Sequence, residues 1–255
     1  MIGDEGAAAL GGALATGAAV LTELKITHNE IGIEGAKALA SALRFNKVLT
    51  SLDVGWNSLT EEAALGIVRV ERQRNKLTSL GLASCFIGPI GAAEIAEYVS
   101  GSGVLTDLRL NNNNIRDEGA KAIGKALAVN GVLKNLDLGE NEIGDEGAKS
   151  IGGALAFNGV LTNLLLWNNN IGDEGAKALA AALDVNRVLT ILVLWANSIG
   201  DEGAKALASA LRVNTWPPRQ LTELDLGGNE IGDEGLYALA SAFEVSGVLT
   251  DLWHL

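Results

Sequence analysis

Few side chains in this sequence could carry out chemistry. Its one cysteine is Cys85, and its two histidines, His28 and His254, stand 226 positions apart, so a Cys–His or Ser–His nucleophile pair has little to draw on. Neither a G-x-S-x-G elbow nor an H-E-x-x-H zinc motif occurs. Gly119–Ala126 reads G-A-K-A-I-G-K-A, one residue short of the phosphate-loop pattern G-x-x-x-x-G-K-[S/T]. Ala126 stands where a magnesium-binding hydroxyl is needed, and the segment has helical rather than loop spacing. A single cysteine makes neither an internal disulfide nor a cysteine-based metal site. Arg69, Arg72, Arg74 and Lys76 form the one basic cluster, which reads as cations at a helix C-terminus or as a contact for a small anion. No catalytic residue, metal or cofactor is expected, and the residues that remain point to recognition.

Composition narrows the class of partner. The 255 residues carry 31 acidic and 19 basic side chains, a net charge of −12, which repels a phosphate backbone and disfavours nucleic acid. No apolar run approaches the roughly 20 residues needed to span a bilayer. The stretch Ala7–Val20 imitates the core of a signal peptide, but Asp4 and Glu5 stand where basic residues belong. A cytoplasmic protein with no membrane association is expected.

The elements that position these residues follow from a repeat. The pattern L-x-x-L-x-L-x-x-N-x-I opens at Leu21, Leu49, Leu77, Leu105, Leu133, Leu161 and Leu189 at intervals of 28, at Leu221 after 32, and at Leu249 after 28 again. Apolar residues three and five places after the opening leucine, such as Leu136 and Leu138, have strand spacing. The segment that follows has helical spacing, with Ala176, Leu179, Ala180 and Leu183 on one face. Asp145, Asp173, Asp201 and Asp233 are expected to cap the helices they begin. Asn130, Asn158, Asn186 and Asn214 are expected to close the helices in the left-handed conformation. A strand–loop–helix unit of this size cannot bury both apolar faces alone, so the units must stack.

These motifs resemble the leucine-rich repeats of the ribonuclease-inhibitor-like class, similar to the repeat domains of NOD-like receptors and of the Ran GTPase-activating protein. The resemblance covers essentially the whole chain and implies an α/β, right-handed solenoid with a parallel concave β-sheet and convex helices. Residues 1–255 then form a single domain of about nine units, with no evident terminal caps, as in a fragment of a longer protein. Eight positions after each opening leucine stand Asn29, Asn57, Cys85, Asn113, Asn141, Asn169, Asn197 and Asn229. They read as a structural ladder whose amides satisfy loop backbone groups; the family tolerates cysteine there.

The residues at +2, +4 and +6 face the concave side. Most are acidic or small, but Leu165, Trp167, Ile191, Val193 and Trp195 form an apolar patch, flanked by Asp137, Glu223 and Asp225. A protein partner with an apolar centre and a basic rim is expected there. Two other readings come with the repeat: GTPase activation, as the Ran-regulator resemblance implies, and homo-oligomerisation through uncapped ends with an exposed final strand carrying Trp253 and Leu255. Two departures from the repeat stand out: Pro89 near a helix start, and the Thr215–Arg219 insertion, which is expected to be a stiff exposed loop.

Overall fold

The computed structural model describes residues 1–16, 18–212, 221–246 and 251–253; the Thr215–Arg219 insertion, Asn214, Leu249, His254 and Leu255 lie outside them. Helices α1 (Asp4–Ala15), α2 (Ile33–Leu43), α3 (Glu61–Arg74), α4 (Pro89–Gly101), α5 (Arg116–Leu127), α6 (Asp145–Leu155), α7 (Asp173–Val185), α8 (Asp201–Arg212) and α9 (Asp233–Ser246) alternate with strands. The strands are β1 (Glu23–Lys25), β2 (Ser51–Asp53), β3 (Ser79–Gly81), β4 (Asp107–Arg109), β5 (Asn135–Asp137), β6 (Asn163–Leu165), β7 (Ile191–Val193), β8 (Glu223–Asp225) and β9 (Asp251–Trp253). They pair in chain order as one parallel nine-stranded sheet.

Each strand is three residues long, and in β1 to β8 the central leucine is directed into the core. Leu24, Leu52, Leu80, Leu108, Leu136, Leu164, Leu192 and Leu224 stand opposite one another across the sheet and are buried. The register passes unchanged from Leu192 to Leu224, so the four extra residues of the long interval are absorbed between α8 and β8. Behind the sheet lie the apolar faces of the helices; Ala176, Leu179, Ala180 and Leu183 of α7 are all buried. Parallel strands stack at about 4.8 Å and helices at about 8–10 Å, so the stack bends with the sheet on its concave side.

Two expectations about helix ends are corrected. The aspartates that begin helices do not cap their own helix. Asp145 Oδ1 accepts the N–H groups of Gly172 and Gly175, both at 2.8 Å, at the start of the next helix, α7. Asp4, Glu61, Asp117, Asp173 and Asp201 do the same for the helices that follow them. The N-cap position of α7 is itself glycine, Gly172. At the second amide, three residues on, a Cβ at Gly175 would lie 2.8 Å from Asp145 Oδ1 and 2.8 Å from Ile171 Cγ2, so that amide must approach without one.

Nor do Asn130, Asn158 and Asn186 adopt the left-handed conformation. Asn186 is extended, with φ −69° and ψ 137°, and no positive φ occurs at Asn130 or Asn158. Each instead forms a rung of a second ladder. Asn158 Nδ2 donates to Leu127 O and Asn130 O in the preceding unit, and its Oδ1 accepts from Val160 and Leu161 N–H. A buried amide that satisfies four backbone groups outweighs a helix-closing turn.

Candidate protein-binding face

The asparagines eight places into each unit lie behind the loops at the strand ends. Asn141 is fully buried; its Nδ2 donates to Leu110 O, Leu138 O and Gly139 O at 2.9–3.1 Å, and its Oδ1 accepts from Ile115 N–H. Asn57, Asn113, Asn169, Asn197 and Asn229 likewise donate to a carbonyl of the preceding unit. Asn29 donates to Ile26 O and Thr27 O and accepts from Ile2 N–H. Cys85 occupies its rung with Sγ toward Ala83 O at 3.5 Å, while its N–H donates to Asn113 Oδ1. Burial pushes its thiol up to about 12, far from the thiolate that a reactive cysteine needs.

Three of the four residues of the basic cluster, Arg69, Arg72 and Arg74, form internal ion pairs, while Lys76 is exposed. Arg69 bridges Glu62 and Glu94, and Arg72 pairs with Glu97 at 2.6 Å. Arg74 is buried against Glu71 at 2.6 Å. It stands at the second-ladder position held by Asn46, Asn130 and Asn158, and the pair divides the work of one amide. Its guanidinium donates to Asn46 O and Leu49 O, while the Glu71 carboxylate accepts from Lys76 and Leu77 N–H. The sequence signal for this pair was the alignment itself, with Glu71 falling where Leu43, Val99 and Leu127 stand in other units.

The rim seven places into each unit holds a feature that residue types did not reveal. His28, Trp56, Ser84, Asn112, Glu140, Asn168, Ala196 and Gly228 all have φ between 49° and 67°. Their side chains form a column along the edge of the face. The rings of His28 and Trp56 stack at 5.4 Å, and Glu140 accepts from the amides of Asn112 and Asn168. A rim cavity of about 410 Å³ opens beside Glu140, with Phe86 and Glu142 in its wall.

On the open face of the sheet, Asp137, Leu165, Val193 and Asp225 are consecutive register partners across β5, β6, β7 and β8. Asn163, Ile191 and Glu223 form the parallel row beside them. Leu165, Ile191 and Val193 are partly exposed, as expected for residues pointing away from the core. Two places beyond the central row are Trp167 and Trp195, whose ring centroids lie 6.5 Å apart at an interplanar angle of 43°. They do not shield each other by stacking. Trp167 leans back over Gly139, whose missing side chain leaves the space: a Cβ there would lie 2.1 Å from the Trp167 ring. Trp195 is 41% exposed. Burial raises the Asp137 carboxyl above its ordinary range, opposed in part by the Gly139 N–H and the Trp167 indole. On the N-terminal side Arg109 reaches across Gly81 to Asp53 at 3.1 Å and covers the small residue between them.

Among the described residues, no group of histidine, cysteine, aspartate or glutamate side chains is arranged to hold a metal ion, and no helix is long and apolar enough to cross a membrane. Residues 18–40, 45–68, 104–124, 129–152, 160–180, 185–208 and 219–240, more than half of the chain, match the family described as Leucine Rich repeat. The chain belongs to the leucine-rich-repeat family. Residues 69–103 of this leucine-rich-repeat chain fall between matched segments, and they hold the departures Glu71, Arg74, Cys85 and Pro89. A search of curated proteins finds no match. Among solved structures, leiomodin-1 actin-binding site 2 is similar, with 24% identity and a TM-score of 0.49 over 60% of this chain and 87% of that one. The yeast Rad7–Elc1 complex is similar at 16% identity and a TM-score of 0.44 over 98% of this chain and 78% of that one.

Proposed function

We propose that this chain is a non-enzymatic scaffold of the ribonuclease-inhibitor-like class that binds a protein partner on the open face of its sheet. The observation that carries the reading is the apolar patch of Leu165, Trp167, Ile191, Val193 and Trp195, set between Asp137 on one side and Glu223 and Asp225 on the other. A β-sheet face needs no exposed tryptophan for its own stability, since the central leucines already supply the core. Two tilted indoles with aliphatic neighbours offer the desolvated centre at which binding hot spots concentrate, and acidic residues on both flanks favour a basic rim on the partner. The acidic surroundings also set the surface against nucleic acid.

The test is affinity capture with the wild-type chain and with a Trp167→Ala/Trp195→Ala variant, followed by titration of each against the purified captured protein. Each substitution is expected to cost at least about 2 kcal/mol of binding, with circular dichroism unchanged. Equal affinity for the wild type and the double variant would reject this face as the binding site.

A further inference from the structure

We infer that the patch receives an amphipathic α-helix of the partner, laid along the solenoid across β5 to β8 and presenting a basic–apolar–apolar–basic row. The inference rests on the binding face proposed above and adds the shape and sequence pattern of the occupant. Its basis is the in-register row Asp137, Leu165, Val193, Asp225, one residue from each of four adjacent strands.

That row has a fixed pitch. Parallel strands lie about 4.8 Å apart, so its four positions fall at roughly 0, 4.8, 9.6 and 14.4 Å. A helix rising 1.5 Å per residue places side chains i, i+3, i+7 and i+10 on one face at about 0, 4.5, 10.5 and 15 Å. The largest mismatch is about 1 Å. An extended segment running the same way repeats one face every 6.6–6.8 Å and reaches about 20 Å at its fourth contact, some 6 Å past Asp225. Pitch therefore selects a helix over a strand.

Width and charge agree with that choice. From the +2 row to the +6 row the face spans four residues along the strand, about 13 Å, close to the 10–12 Å diameter of a helix with its side chains. Trp167 and Trp195 border the Leu165–Val193 pair on one side, and Asn163 and Ile191 on the other. At the two ends of the row stand carboxylates. Arg109 forms its ion pairs with Asp53 and Asp107 rather than with Asp137, although its charge still acts on the Asp137 carboxyl.

The experiment uses three synthetic peptides of equal length and net charge, titrated into the intact chain by calorimetry and tryptophan fluorescence. The first carries Lys, Leu, Leu and Lys at i, i+3, i+7 and i+10 in a helix-forming background. The second has the same row interrupted by a central proline. In the third, Lys, Leu, Leu and Lys are placed at every second position for an extended conformation. The helical peptide is expected to bind and to gain helicity on binding. Both others should bind at least about tenfold more weakly, and Trp195→Ala should weaken the helical peptide roughly 30-fold. Asp137→Asn/Asp225→Asn should weaken it further and flatten its salt dependence. If the extended peptide binds as well or better through Trp195, the helix is overturned while the binding face stands. If no peptide shows Trp195-dependent binding, the helix is overturned, and the capture experiment then decides the face independently.

Discussion

Asp145 begins α6 but closes α7: its Oδ1 lies 2.8 Å from the amides of both Gly172 and Gly175. This relationship explains two apparent irregularities of the repeat together. The residue in the position of Asp145 is Ile33 in α2, which has no carboxylate, and the following helix supplies its own cap through Thr60 Oγ. It is Pro89 in α4, and there the following unit carries Arg116 in place of glycine, with its amide donating to Asn141 O. Where the acceptor is lost, the N-cap glycine of the next unit is lost with it, replaced by Thr60 in one case and Arg116 in the other, although Gly119 keeps the second glycine position in α5.

Asp145→Ala is expected to cost about 1–2 kcal/mol, the usual worth of a cap. The position of the damage is more diagnostic than its size. Amide exchange should accelerate at Gly172 and Gly175 while the first turn of α6 stays protected. Faster exchange confined to α6 would mean that Asp145 caps its own helix.

Two glycine-to-alanine changes should have opposite signs. Gly175→Ala forces a Cβ to within 2.8 Å of Asp145 Oδ1 and 3.0 Å of Ala148 Cβ, and is expected to destabilise by about 1–3 kcal/mol. Gly153, in the last turn of α6, has nothing within 4 Å of that position, so Gly153→Ala should stabilise by up to about 0.5–1 kcal/mol through helix propensity. Urea denaturation midpoints read both, and shifts of the same sign would contradict the close-approach argument.

The Glu71–Arg74 pair can be exchanged for the amide it replaces. Removing either partner alone leaves a buried charge and is expected to cost about 3–5 kcal/mol. Glu71→Leu with Arg74→Asn restores the residue pattern of the neighbouring units and should recover most of that loss. A double variant no more stable than the worse single would show that the pair does something the asparagine cannot.

Asp137 gives a pH test. Its carboxyl is raised mainly by burial, so the folded state holds its proton more tightly than the unfolded chain does. Stability from this site is therefore lost as pH rises from the unfolded carboxylate range, near 4, through the higher folded value. Asp137→Asn should raise the denaturation midpoint at pH 7 relative to wild type, with the advantage shrinking toward pH 4, while weakening binding of a basic partner. A pH-independent difference would remove the burial argument.

The leucine and asparagine periods were readable in the sequence because each repeats without compromise. Leu136, Leu138 and Asn141 each see the same neighbours as their counterparts one unit away, so spacing alone places them. The direction of a contact was harder to read. An aspartate at a helix start favours the nearest orphan amides by general rule, and only the stacking brings the amides of Gly172 nearer to Asp145 than those of its own first turn. Asn186 was misread for a related reason: the position after a helix commonly adopts the left-handed conformation, but here the preceding unit offers Leu155 O and Asn158 O to its amide. On the candidate face, the pairing of Leu165 with Val193 followed from the repeat. The lean of Trp167 over Gly139 did not, since it depends on a side chain missing from the neighbouring strand.

The two kinds of contact between units point in opposite directions along the chain. Asp145 serves the unit after it, whereas Asn141 and Asn158 serve the unit before. A ribosome releases these units in order, N-terminal first. Apart from α3 and α5, each emerging helix after the first therefore finds its carboxylate cap already in place, and the asparagines of the new unit complete the loops left open behind it. Growth of the solenoid during synthesis is expected to be vectorial, with most units templated by their predecessor and finished by their successor.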